Sequence, residues 1–236
     1  MIEIIPTILV KSFSEAKKKI KKVEDYVKWV QLDIMDGIFV NNETWPYAEG
    51  KISDLKKLKT KVHPVKSSKG GIAKQSFNRV KLEAHLMVNK PEDVIDDWLE
   101  AVDRVIIHFE SKITNRELGI RDLIQKVHSQ GKQIGLALNP ETHFSVATPF
   151  LNELDLVLIM TVQPGWGGQE FKEWVLDKIK FLREKWPDGN IEVDGGVNNE
   201  NIKKIIKAGA NLICVGTHIF RSKDIREAIE NLRCVK

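Results

Sequence analysis

The chain has 236 residues, 42% hydrophobic and 30% charged, with a net charge of +4. It carries enough apolar material for a full core. It holds no unbroken apolar run of about 18 residues, which excludes a membrane-spanning helix. Two cysteines, Cys214 and Cys234, exclude a disulfide framework and fit a reducing, cytoplasmic setting.

The apolar start MIEIIPTILV lacks a basic leader and a small-residue cleavage site, so no signal peptide is expected. The first apolar β-rich run covers 2–9. Others follow at 27–35, 80–88, 104–109, 133–138, 154–162, 190–194 and 211–215. They read as continuous buried strands, as a parallel sheet covered by helices requires. Helical patterns lie between them. Ser12 is placed to cap 13–24, with Glu15 three residues on as in a capping box. The lysines at 17–19, 21 and 22 read as a solvated face, because no aromatic residues interleave them as nucleic-acid binding would want.

A polar loop at 41–50 precedes a short segment at 51–58. Pro91 opens 92–101, and 116–129 ends at Gly131. The segment after Asn139-Pro140 is a poorer, shorter helix. Residues 171–185 stop before Pro187, 198–208 end at Gly209, and Ser222 is placed to cap 223–232. Eight strand–helix units of about 30 residues predict an α/β fold, a (β/α)8 TIM barrel forming one domain over 1–236. A doubly wound sheet is the alternative, but no Gly-x-Gly-x-x-Gly follows the first strand. The long Lys-, Ser- and Gly-rich stretch 59–78 interrupts the rhythm between the second helix and third strand. It is expected as a mobile excursion or an oligomer contact on the N-terminal face, with His63 a solvated loop residue. A homo-oligomer is expected.

In such a barrel, function collects at the C-terminal strand ends. Alternation puts Gln31, Asp33 and Met35 on one face, and likewise Glu83, His85 and Met87. Asp33 and Asp194 then lie three strands apart around the ring and face each other across the mouth. Two facing carboxylates can take a proton from one side of a carbon beside a carbonyl and return one from the other, inverting that carbon. His85 between them could join both acids around a metal. Met35, Met87 and Met160, all at strand ends, suggest a soft apolar wall. Gly165, Gly167 and Gly168, then Gly195 and Gly196, then Gly216 give glycine loops after three consecutive strands, suited to a phosphate. His108 reads as a hydrogen-bonded core or rim group. His218 could meet the anion or only pack a helix start.

The blocks Leu32-Asp33-Ile34-Met35-Asp36-Gly37, Ala84-His85-Leu86-Met87-Val88, Leu138-Asn139-Pro140, Met160-Thr161-Val162-Gln163-Pro164-Gly165-Trp166-Gly167-Gly168 and Val193-Asp194-Gly195-Gly196-Val197 resemble the ribulose-phosphate 3-epimerase family in order along nearly the whole chain. The resemblance implies a TIM barrel that interconverts ribulose 5-phosphate and xylulose 5-phosphate through an enediolate, with a small phosphorylated ketose as partner and neither nucleic acid nor membrane. It implies Asp33 and Asp194 as the acid/base pair. Asp33, His85 and Asp194 would be ligands of one divalent ion, zinc, iron or manganese. Substrate and phosphate contacts would come from Thr7, His85, Gly165, Trp166, Gly167, Gly168, Gly195, Gly196, Gly216 and Thr217.

Three positions depart from the family pattern. Thr7 and Thr217 stand where it usually has serine. Gln31 stands where it usually has a second histidine ligand, and a neutral amide is a weaker ligand than imidazole, so weakened or altered metal binding is expected. The alternatives are a hexulose (allulose) 6-phosphate 3-epimerase, since the same atoms react, and a catalytically impaired phosphosugar-binding barrel. A decarboxylase on this fold would want Asp-x-Lys, and Met35 stands where the lysine should be.

Overall fold

Eight apolar runs that bury both faces become eight parallel strands in the computed structural model, which describes residues 2–58 and 79–234. The predicted insertion at 59–78, with His63, lies outside the described residues. The strands are β1 (Glu3–Ile8), β2 (Trp29–Met35), β3 (Lys81–Met87), β4 (Arg104–His108), β5 (Gln133–Leu138), β6 (Leu156–Met160), β7 (Ile191–Asp194) and β8 (Leu212–Val215). They close in sequence order, with β8 pairing back on β1, so the open-sheet alternative is excluded.

Alternation along each strand divides the core in two. Val30, Leu32 and Ile34 point outward into a large apolar layer shared with the helices. Trp29 points inward with Ile106, Leu158 and Cys214. Register then stacks the inward side chains. Thr7, Gln31, Glu83 and Arg104 stand side by side on β1 to β4, and Asp33 pairs with His85 one step nearer the C-terminal end.

The lower of these levels is charged. Arg104 Nη1 is 2.6 Å from Glu83 Oε2 and 3.6 Å from Glu192 Oε2, and its guanidinium lies 3.9 Å from the Trp29 ring centroid. Burial raises the Glu83 carboxyl against the pull of Arg104. It raises Glu192 far more, with the Glu83 charge adding to it.

The helices are α1 (Phe13–Val23), α2 (Ile95–Leu99), α3 (Arg116–Ser129), α4 (Val175–Lys185), α5 (Ile202–Ala208), α6 (Thr217–Phe220) and α7 (Ile225–Arg233). Ser12 caps α1 through the Glu15 amide, and α3 has the expected bounds. Others differ for local reasons. The Pro91 helix splits into a 3-10 turn, Pro91–Asp93, and the five residues of α2. The segments expected at 51–58 and after Pro140 are 3-10 helices, Ile52–Lys57 and Phe144–Phe150. Both α4 and α5 start about four residues late: Lys172 N donates to the Thr161 carbonyl, and Asn198 Oδ1 accepts from Glu200 N and Asn201 N in a turn of its own. The cap of α7 is Asp224, whose side chain accepts from Glu227 N, while Ser222 only braces Asp224. Among the described residues no helix is long and apolar enough to cross a membrane.

Candidate active site

The C-terminal mouth opens into a cavity of about 410 Å³, near the lower end of the range of about 300–1,000 Å³ usual for ligand sites. Asp33 and Asp194 reach its base, and Met35, Met87 and Met160 line its wall as expected. Gly165 to Gly168, Gly195-Gly196 and Gly216-Thr217 form one side, with Trp166 and Thr7. His85 and Gln31 lie beneath this surface, both fully buried.

The loops are built to sit close. Gly196 has φ +65, and a Cβ there would stand 2.7 Å from the Phe171 backbone nitrogen, so only glycine lets the loop after β6 fold over the loop after β7. A Cβ on Gly216 would lie 2.6 Å from Thr7 Oγ1. Thr161 Oγ1 donates to the Gly195 carbonyl at 2.6 Å and ties β6 to the acid-bearing turn. On the β2 side, Asp36 accepts from the amides of Ile38, Phe39 and Asn89, and Asn42 donates to the Gly165 carbonyl at 2.7 Å.

At the base, oxygens of Asp33 and Asp194 and a ring nitrogen of His85 all lie within 4.8 Å of one another. His85 Nδ1 is 3.2 Å from Asp33 Oδ1 and 3.7 Å from Asp194 Oδ2. Burial, and next the Asp33 charge, push the Asp194 carboxyl up to about 7. Asp194 thus holds its proton more firmly than an exposed carboxyl does.

The tautomer of His85 is set at a distance. Glu110 accepts from the Asn139 amide and from Thr142 Oγ1, and its Oε2 lies 3.2 Å from His108 Nδ1. A carboxylate facing the ring requires the proton on His108 Nδ1. Burial lowers the His108 pKa and keeps that ring neutral, so its Nε2 is an acceptor. His85 Nε2, 2.8 Å away, must then carry its own proton. His85 Nδ1 faces the aspartates at 3.2 and 3.7 Å, and a neutral His85 protonated on Nε2 offers its lone pair there to a cation held between them. This is the usual outer support of a metal-bound histidine. One imidazole nitrogen and two carboxylate oxygens, with a negative charge that burial disfavours, make a donor set that fits a divalent cation. His108 is thus the hydrogen-bonded core group expected, while Glu110 carried no signal in its local pattern.

Two more residues escaped the sequence reading. Lys19, taken with the solvated lysines of α1, is half-buried, lines the cavity, and holds Nζ 5.0 Å from the Phe220 ring centroid. Burial lowers its pKa. Arg221 lines the same end. His218 does not line the mouth cavity; it borders a separate shallow groove with Asn199 and Asn231.

Among known proteins, the chain matches the model of the Ribulose-phosphate 3 epimerase family over residues 3–66 and 70–220. It is 34% identical over 233 residues to the ribulose-phosphate 3-epimerase of Schizosaccharomyces pombe, covering 98% of this chain and 92% of that protein. It is 34% identical over 240 residues to that of Bacillus subtilis, covering 99% of each. The solved 3-hexulose-6-phosphate synthase of Salmonella typhimurium matches with a TM-score of 0.67 over 99% of this chain and 97% of that one; at 15% identity this is a likeness of fold alone.

Proposed function

This chain belongs to the ribulose-phosphate 3-epimerase family and is an isomerase; we propose that it interconverts D-ribulose 5-phosphate and D-xylulose 5-phosphate by two-carboxylate proton transfer at C3. The observation that carries this reading is the pairing of Asp33 on β2 with Asp194 on β7, their oxygens within 4.8 Å at the base of a cavity walled by glycine loops.

The substrate phosphate lies against the backbone amides of 165–168 and 195–196, where Gly165, Gly168, Gly195 and Gly196 are left-handed, and those of 216–217 at the start of α6. Lys19 and Arg221 add positive charge at that end. The sugar then extends toward Asp33 and Asp194, with C3 between them. The ionised member takes the C3 proton, the C2 carbonyl becomes an enediolate oxygen, and the protonated member delivers a proton to the opposite face of C3. Inversion follows, and the reverse reaction uses the same two groups with roles exchanged. Asp33, His85 and Asp194 would hold a divalent ion, which supplies positive charge to the enediolate oxygens. Met35, Met87 and Met160 keep water from the planar carbon. The two-cysteine composition supports a cytoplasmic setting.

The test is solvent exchange. In D2O with a divalent ion supplied, the protein should carry deuterium into C3 of ribulose 5-phosphate. Asp33→Asn and Asp194→Asn should each slow it by about 10²–10⁴-fold. No exchange by the native protein would sink the proposal, and near-native turnover in either variant would remove that residue from its role.

A further inference from the structure

Gln31 is fully buried and gives both amide hydrogens to the acid pair. Its Nε2 donates to Asp33 Oδ1 at 2.8 Å and to Asp194 Oδ2 at 2.8 Å. Its Oε1 lies 3.3 Å from the Cys214 sulfur. The direction of this amide follows from its neighbours. Turned over, Oε1 would face two carboxylate oxygens, which share at most one proton between them. With Nε2 inward both carboxylate oxygens accept an N–H, and Oε1 faces the Cys214 thiol, a donor it shares with Glu192 Oε1 at 3.2 Å.

The oxygens that Gln31 binds, Asp33 Oδ1 and Asp194 Oδ2, are the ones that face His85 Nδ1 at 3.2 and 3.7 Å, where a cation held by the three residues would sit. A cation bonded to both would sit beside an amide whose hydrogens carry positive partial charge. The amide would have to break both hydrogen bonds and withdraw. Yet without a cation, these hydrogen bonds are what hold two mutually repelling acids in place.

We infer that Gln31 is a carboxylate clamp: a positioning residue that holds Asp33 and Asp194 together and competes with a divalent cation for the oxygens they present. The inference rests on the reading of Asp33, His85 and Asp194 as a metal site. It makes metal occupancy in this chain a balance between an internal amide and the external ion.

Calorimetric titration of Mn2+ into the chelator-stripped full chain tests it. Gln31→Leu removes the competitor and should bind Mn2+ at least about tenfold more tightly than the native chain, a difference of about 1.4 kcal/mol. Weaker binding by the variant would make Gln31 a ligand and overturn the clamp, as would unchanged affinity. Both results leave the metal site standing, whereas no binding by either protein overturns both readings. Should the leucine variant not fold, nuclear magnetic resonance on the native chain decides the matter. The Gln31 side-chain amide protons should exchange slowly with solvent, then shift and exchange faster as Zn2+ is added. Zn2+ that moves the His85 signals and leaves the Gln31 amide unmoved would overturn the clamp.

Discussion

Glu110 and His85 do not touch, yet the carboxylate of one fixes which nitrogen of the other carries a proton, through the ring of His108. A proton on His108 Nδ1 puts one on His85 Nε2, and a neutral His85, the form that binds metal, then has its Nδ1 lone pair for a cation held by the aspartates. A site of this kind can be weakened from outside.

Glu110→Leu should therefore lower divalent metal affinity by about 10–100-fold, the usual loss when an outer partner of a ligand histidine is removed. Glu110→Gln keeps an acceptor for His108 Nδ1 and should lose much less. Calorimetry with Mn2+ on both variants checks the order; equal losses would remove His85 tautomer control as the cause.

Asp194 predicts a pH dependence of stability in the chelator-stripped protein. Its folded pKa, pushed up to about 7, lies above the ordinary value of 3.8. Between these values the folded chain keeps a proton that the unfolded chain has released. The contribution is fully present below the unfolded pKa and is lost as pH rises through about 7. Acidification from about pH 8 to about pH 5 should thus raise Tm in the native chain relative to Asp194→Asn. Parallel melting curves for the two proteins would show that Asp194 is not the group responsible.

Among the described residues, Arg104 is the one cation placed between the buried Glu83 and Glu192. Arg104→Met keeps a long stem against Trp29 and removes that charge. Unfolding in denaturant should show a loss of about 3–5 kcal/mol, as expected when one partner of a buried ion pair is deleted. Adding Glu192→Gln should restore part of it. A variant as stable as the native chain would mean that both glutamates are already neutral.

Lys19 should matter for the substrate anion and for little else. It is half-buried, lines the cavity beside Phe220, and feels the charge of Asp33 without a hydrogen bond to it. Lys19→Met should raise KM for a phosphorylated ketose about tenfold, the worth of one charged hydrogen bond, with kcat nearly unchanged. Steady-state kinetics decides it, and a fall in kcat with constant KM would place Lys19 elsewhere in the cycle.

Much of this was legible along the chain. Each strand is a local apolar run. Asp33, His85 and Asp194 stand on inward-facing steps of their strands, and the glycine loops follow strands six, seven and eight. Period-2 alternation and turn chemistry are local properties, so the sequence reads them directly. Helix starts were less legible. The chain before α4 and α5 has helical composition but is tied elsewhere, Lys172 N to the Thr161 carbonyl and Asn198 Oδ1 to the amides of Glu200 and Asn201. Lys19 shows the same limit, since a lysine run looks solvated until the packing of its helix sends one member toward the cavity.

The sequence by itself determined the eightfold strand–helix repeat, the two acids and histidine at strand ends, and the glutamine that departs from the family pattern. Only the tertiary structure decided that Gln31 Nε2 bridges both aspartates, that Glu110 reaches His85 through His108, and that Arg104 lies between two buried glutamates. The physical reason is register. Alternation says which side chains point inward, but closure of the barrel sets the height at which each strand meets the others, and a hydrogen bond acquires its direction only when its partner arrives.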